Sequence, residues 1–351
     1  MKANNFPSLT WNFLKINNTS LETIEGSQCE PAVSLADGVA AVESGCKCFD
    51  SIATGMGAEF DAAFDELKLK ARKFSVAAGK KTDASRIEYS ADKGNALDEI
   101  QIVAEEGSES NFIFAFKSAE GFDGTIGARI RVIAKDNALV RVGLVNLCGK
   151  SAKTFVSFGS KAGDNATVET TEIILGGKDN IWGNYNALEG YKSHFNGHNA
   201  YLVNDKESLD VNYVSLHTGR ETESTMAVDG VIDGTGKKTW RGTIDFKNGC
   251  AESKGDEQEN VLLLDPKVVN KSLPVILCDE EAVEGRHGAS IGRLGKEILF
   301  YMQSRGVDEK TAQNLMIRAK INTAARCLGD EKTAQEVMDF VGKGRLSFSS
   351  I

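Results

Sequence analysis

Ala128–Leu147, ARIRVIAKDNALVRVGLVNL, decides the fold class. Two apolar runs, ARIRVIA and ALVRVGLVNL, alternate with polar positions, and Lys135-Asp136-Asn137 supplies a turn between them. Period-two alternation of β-branched and aliphatic residues is the signature of strands. The texture extends both ways. It begins near Leu97 with EIQIVAEE and NFIFAFK. It continues through TFVSFGS, ATVETTEIILGG, AYLVND, SLDVNYVSLHTG, TMAVDGVID, TWRGTIDF and VLLLD to about Pro266, without a helical stretch. Strands at short, fairly even spacing mean a sandwich, a barrel or a solenoid. Successive segments share too little identity for spacing alone to prove a coil repeat.

The chain has 351 residues, enough for one large domain or two to three small ones. Hydrophobic residues make up 41% and charged residues 26%, the balance of a globular protein. Glycine is abundant at 35 and proline scarce at 4, which suits many strands joined by glycine turns. A net charge of −9 and a pI near 5.2 argue against nucleic acid or anionic membranes as partners. The start, MKANNFPSLTWNF, lacks the apolar core of a signal peptide, and the seven cysteines do not look like a disulfide framework. The expectation is a reduced cytoplasmic protein. Before the strands, Phe60, Ala63, Phe64 and Leu67 fall at helical spacing, and residues 1–96 read as a mixed, partly helical region. Leu9-Thr10-Trp11-Asn12-Phe13-Leu14-Lys15-Ile16-Asn17 reads as a docked terminus.

The strand texture ends in Leu273–Arg318, LPVILCDEEAVEGRHGASIGRLGKEILFYMQSRGVDEKTAQNLMIR. A short strand, Leu273–Cys278, is followed by the polar segment Glu284–Ser290 with His287 among small residues. Then Leu294, Ile298, Leu299 and Met302 take helical spacing, Arg305-Gly306 stops that helix, and Asp308 caps the next. DEKTAQ occurs at Asp308–Gln313 and again at Asp330–Gln335, each copy opening a helix. The strand region is thus 97–293 and the helical region 294–351, with a small, polar tail from Gly342. The abrupt change predicts that the last two strands before Gly288 sit at an exposed end, a template for self-association.

The HGA-S-IG segment, FYMQSRG and the helix opening DEKTAQ resemble the C-terminal signature of the SufB/SufD family of iron–sulfur cluster assembly proteins. The resemblance covers nearly the whole chain and is densest from about Thr222 to Arg318. It implies a mainly β fold, a right-handed parallel β-helix, with a C-terminal helical domain standing beyond it. It also implies a non-catalytic subunit. His287 would be the functional histidine at the SufB–SufD meeting face, where iron or a transient iron–sulfur cluster could be held, with Cys278, Arg286 and Gly288 in the same interface segment. Phe300, Tyr301, Arg305 and Gly306 would form the segment that docks the SufC ABC-type ATPase. The departures favour the SufD side of the family. SufB has a glutamate after the histidine where this chain has Gly288, and an essential cysteine where it has Glu259. A nascent cluster needs a thiolate as sulfur acceptor. Gly285 stands where some SufD proteins carry a cysteine.

Other constellations are weaker. From the residues alone, His287 reads equally well as a ligand or as a buried histidine satisfying backbone groups. Cys46 and Cys48 are too close for zinc-knuckle spacing and no second pair follows. Cys148, Cys250 and Cys278 read as packing residues beside strands, and Cys327 as ordinary. His194 and His198 share a strand face without a companion acid, and His217 ends a strand. No phosphate-binding loop, G-x-S-x-G elbow or dinucleotide fingerprint occurs. Two rivals remain. One is a stand-alone SufB-like scaffold homodimer working with SufC. The other is a β-helical polysaccharide-active enzyme, which would use paired carboxylates on one sheet face, although secretion signals and an aromatic-lined groove are missing; Asp205/Glu207 and Asp229/Asp233 read as solvated strand edges.

Overall fold

The computed structural model describes residues 1–8, 10–42 and 47–345; Leu9, Cys46 and the tail from 346 onward lie outside the described residues. The alternating strands stack in parallel into a solenoid of eight coils, each giving one strand to each of two facing sheets. Sheet I runs from Arg72–Val76 to Val269–Cys278, and sheet II from Lys81–Ala91 to Glu284–Gly292. Strand partners lie between 26 residues apart (Lys153 to Asp179) and 32 (Lys237 to Val269). Inward side chains such as Phe112, Phe114, Phe116, Val142, Leu144, Phe158 and Trp182 fill the lumen between the sheets. The first coil lies before Leu97, earlier than the strand texture begins in sequence, because its strand Lys81–Ala91, KTDASRIEYSA, has few large apolar residues to mark the alternation.

One corner explains the regular stacking. Gly107, Asn137, Asn165, Lys192, Glu221 and Glu252 all have positive φ there. Each donates its N–H to a carbonyl of the next coil, as from Asn137 to Asp164 (2.8 Å) and from Glu221 to Ala251 (3.0 Å). The ladder therefore continues through the turn as well as along the strands. Lys and Glu occupy this left-handed position as well as Gly and Asn, so turn composition marks only some of the corners.

Each sheet is covered from outside by one end of the chain. The N-terminal segment lies on sheet I, where Gly159 and Gly183 let it approach at backbone distance. A Cβ at Gly159 would sit 2.3 Å from the Ala53 carbonyl oxygen, and one at Gly183 2.2 Å from the Gly55 carbonyl carbon. Helix α1, Ala58–Glu66, buries Phe60 and Phe64 against Phe155. Arg129 pins it there, donating to Glu99 Oε2 (2.6 Å), Asp65 Oδ1 (2.5 Å) and the Asp61 carbonyl (3.0 Å).

The C-terminal helices do not stand beyond the coils. After α2, Lys296–Ser304, the chain turns back, and α3 (Glu309–Cys327) and α4 (Glu331–Arg345) lie along sheet II. The cause is the outward apolar row Ile113, Val145, Ile173, Ala200, Leu202 and Val231, which Ile317, Ile321, Ala324, Leu328, Val337 and Val341 cover. The repeated DEKTAQ openings cap as the sequence predicts. Asp308 accepts from the Thr311 N–H (2.9 Å) and Asp330 from the Thr333 N–H (3.0 Å). Asp330 is also paired with Arg86 of sheet II (2.6 Å), which fixes the start of α4 on the solenoid.

Gly183→Ala should destabilise the fold by about 1–3 kcal/mol, since backbone faces backbone and neither can yield cheaply. Gly292→Ala, which meets open space, should stay within about 0.5 kcal/mol of wild type. Urea unfolding of the two variants checks the contrast, and equal midpoints would refute it.

Candidate functional site at the open end of the solenoid

The two ends of the solenoid differ. At the N-terminal end, Ala32–Ser34 and Val39–Ala41 pair antiparallel with the first strands of sheets II and I and cap both. At the other end, Val269–Cys278 and Glu284–Gly292 each pair on one side only. The segment around His287, which reads as a polar connection in sequence, is therefore itself the last strand of sheet II.

Register places His287 beside Glu257 and Ala289 beside Glu259. Glu257 and Glu259 are almost wholly buried, in phase with the core residue Val261 on the same strand. His287 thus belongs to a lumen-facing row, yet it is exposed because no coil follows. A buried polar cluster lies just inside this mouth. Trp240 donates its indole N–H to Glu257 Oε1 (2.6 Å), and Gly242 leaves the room that this carboxylate occupies. Lys238 is ion-paired with Glu259 and donates to Ser272 Oγ (2.9 Å). The Tyr201 hydroxyl is buried without a partner. Burial pushes the Glu257 carboxyl up to about 7, against the opposing hydrogen bond from Trp240. Burial likewise lowers the Lys238 ammonium, which Glu259 partly restores. The open end therefore offers an accessible imidazole, with a carboxyl that exchanges protons near neutrality behind it.

The other expected residues distribute around this end. Cys278 closes the last strand of sheet I and is exposed, its thiol donating to the Glu280 carbonyl (3.0 Å). It is not a packing residue, because the coil that would cover it is missing. Arg286 points outward and pairs with Glu284 (3.1 Å). Gly288 leaves room for the Gln258 side chain, whose amide oxygen a Cβ would meet at 2.5 Å. On α2, Phe300 is 73% exposed and Tyr301 59%. The Arg305 guanidinium lies over the Tyr301 ring at 5.3 Å, and Gly306 ends the turn at φ 82°.

Cys148 and Cys250 are buried as expected; burial pushes the Cys148 thiol up to about 12. Cys327 is exposed. Cys48 is disulfide-bonded, so the reduced reading applies to the five free cysteines. His194 and His198 share an outward face but stand roughly 13 Å apart along an extended strand. Among the described residues no three metal-ligating side chains come together. His217 ends its strand, buried, with its ring nitrogens bonded to Thr222 Oγ1 (2.6 Å) and Ser224 Oγ (2.9 Å). Sequence reading missed Lys238, Trp240 and Glu257. The available signal was phase, since these polar residues sit at i, i+2 positions in step with the apolar lumen row.

The family model for the SufBD core domain of SUF-system iron–sulfur cluster assembly matches residues 87–320. The chain belongs to the SufB/SufD family. The iron–sulfur cluster assembly protein SufD of Bacillus subtilis is 24% identical over 220 residues, 62% of this chain and 50% of that protein. The SufBD family protein ycf24 of Trieres chinensis is 25% identical over 236 residues, 64% of this chain and 48% of its own. A chloroplastic SufBD family protein of Arabidopsis thaliana is 26% identical over 179 residues, 50% and 32% of the two chains. The chain spans about half the length of the first two of these relatives. No helix among the described residues is long and apolar enough to cross a membrane.

The raised value of Glu257 sets a direction for stability. Between its ordinary 4.5 and about 7, the folded chain holds a proton that the unfolded chain has released. This contribution is complete below about 4.5 and is lost as pH rises through about 7. Glu257→Gln keeps an acceptor for Trp240 but does not titrate. From pH 5 to 8 its stability should therefore shift relative to wild type, in the variant's favour, by up to about 3 kcal/mol. Urea melts at the two pH values test this, and a constant difference would refute it.

Proposed function

We propose that this member of the SufB/SufD family is a SufD-type, non-catalytic subunit of a cytoplasmic SUF assembly complex. The observation that carries the reading is the bare C-terminal rung, with His287 in its lumen-facing row, opposite an N-terminal end that is capped. Unpaired strand edges are templates for a further strand. The matching partner is the solenoid end of a SufB-like chain, or a second copy when the protein is alone. In the complex, the imidazole of His287 binds iron or a nascent cluster in transit, while the partner supplies the thiolates. Phe300 and Tyr301, with Arg305 and Gly306 shaping the end of α2, dock a SufC-like ATPase. ATP-driven movement then reaches the interface through α3, whose Lys320 is tied to Asp229 of sheet II (2.7 Å).

Two observations favour the SufD-type role over a stand-alone scaffold. Glu259, standing where the resemblance would put a scaffold cysteine, is buried and paired with Lys238. The exposed thiol near the mouth, Cys278, lies on the opposite sheet from His287. The family model spans SufB and SufD alike, which keeps the scaffold homodimer as the second reading. Co-expression with SufB-like and SufC-like proteins, followed by anaerobic purification, separates the two. Cluster on the chain without the SufB-like partner would favour the homodimer.

His287→Ala should leave the melt within about 0.5 kcal/mol of wild type, because the residue is exposed, yet lower the cluster yield of the complex. A lowered melt with normal yield would make the residue structural and withdraw its role. The pair Phe300→Ala and Tyr301→Ala should abolish co-purification of the ATPase without shifting the melt. Retained ATPase would overturn the docking assignment. These substitutions are better tests than deleting α3, which would uncover Val145, Ile173 and Ala200.

A further inference from the structure

Residues 4–8 and 10–17 cross the outside of sheet I strand by strand toward the bare end. Asn4 is anchored on the central strands, donating to the Trp182 carbonyl (3.1 Å) and Asp210 Oδ1 (2.7 Å). One strand further, Arg241 Nε donates to the Ile16 carbonyl (2.7 Å). On the last strand of the sheet, Lys271 Nζ donates to the Leu14 carbonyl (3.0 Å). The chain then reverses through a short 3-10 turn, Asn12–Leu14. Asn17 closes this hairpin: its Oδ1 accepts from the Thr10 N–H (2.9 Å) and hydroxyl (2.6 Å), and its Nδ2 donates to the Thr10 carbonyl (3.0 Å). The hairpin is thus held in shape by its own bonds.

What it presents is apolar. Trp11 and Phe13 are each 75% exposed, with ring centroids 6.2 Å apart, and Leu14 is 40% exposed beside them. The opening is therefore anchored by its backbone and by Asn4, while its aromatic rings, expected to dock it, are left free. Two adjacent exposed aromatics on a preformed turn are costly to keep in water and are the residue types that anchor interfaces. They stand next to the unpaired edge, where Val269 and Ile291 are also exposed.

We propose that the hairpin of residues 10–17 is a clamp for a second copy of this chain joined end to end, with Trp11 and Phe13 seated on the flank of the partner's last coil. The bare end identifies the occupant. It has two strand edges facing each other across one lumen, roughly 10 Å apart. A single added strand satisfies one of them; a second solenoid end of the same cross-section meets both. A twofold axis between identical ends places each hairpin over the other copy's final coil. The proposal rests on the reading of the bare rung as an interface and adds the element that grips from outside it.

Fluorescence isolates the hairpin, because Trp182 and Trp240 are buried at 1% and 0% exposure while Trp11 is free. The experiment measures acrylamide quenching of the full chain across a concentration series, with mass from light scattering at each point. Trp11 should become protected as dimer forms. The double variant Trp11→Ala, Phe13→Ala should melt like wild type but dimerise at least about tenfold more weakly. A dimer in which Trp11 stays quenchable, and which the double variant forms equally well, overturns the clamp while leaving end-to-end pairing intact. A chain that is monomeric at every concentration also overturns it, and leaves the SufB-like partner to its own co-purification test.

Discussion

A parallel backbone ladder must stop somewhere, and at each end a row of amide and carbonyl groups lacks a partner. The backbone groups of the inner coils are paired by neighbouring coils, but those of a terminal coil are paired on one side only. This chain resolves the two ends differently. At the first coil it folds Ala32–Ser34 and Val39–Ala41 back antiparallel, so both edges are capped from within. At the last coil the chain leaves Gly292 and turns away to cover sheet II, although the helical segment could have crossed the opening. The two faces of the solenoid are dressed and one end is not. Unpaired strand edges concentrate there because stacking stops there.

The interior near that end is built against stability alone. Lys238, Glu257 and Glu259 occupy lumen positions that Val261, Ile244 and Phe246 fill elsewhere. An apolar set of similar volume would avoid the desolvation of two carboxylates and an ammonium, and such replacements are often neutral or stabilising. The Lys238–Glu259 pair is nearly self-cancelling. Glu257 is not: one indole N–H supports it, and burial pushes its carboxyl up to about 7. Glu172, three strands earlier in sheet order and supported by Asn184 Nδ2 (2.9 Å), is likewise pushed up to about 7 by burial. The lumen thus holds carboxyls raised by burial at two depths, and the shallower one lies behind His287.

Strand character from Leu97 to Pro266 was legible because apolar residues recur with period two, and the capped helices because Asp308 and Asp330 each precede a Thr at the bonding position. The choice among sandwich, barrel and solenoid was not legible from spacing. Coil lengths drift from 26 to 32 residues, and left-handed corners accept Lys192, Glu221 and Glu252 as readily as glycine. The last strand escaped notice for a related reason. Glu284–Gly292 has no apolar alternation, because its inward row no longer faces a closed core. The buried charges were hidden in plain view, since Lys and Glu in a strand read as solvent-facing unless their phase is compared with Trp240, Ile244 and Val261. His287 stood out through family resemblance, while its geometry, in a lumen row yet exposed, follows only from strand register.

The matched family core, residues 87–320, is smaller than the unit that holds together. Position 320 falls inside α3, and the helix's remaining buried residues, Ile321, Ala324 and Ala325, rest on the same apolar face as Ile317. Ending the chain there would uncover Ile113 and Val145, which Leu328 and α4 help to bury. The same holds at the start: Asn4, Gly55 and Asp65 lie outside the matched core, yet each is bonded to or packed upon sheet I. Both flanks are therefore structural parts of the solenoid. On the N-terminal flank one short stretch does two jobs, Asn4 holding it to the coil stack while Trp11 and Phe13 stay exposed; inside the matched core, α2 likewise leaves Phe300 and Tyr301 exposed.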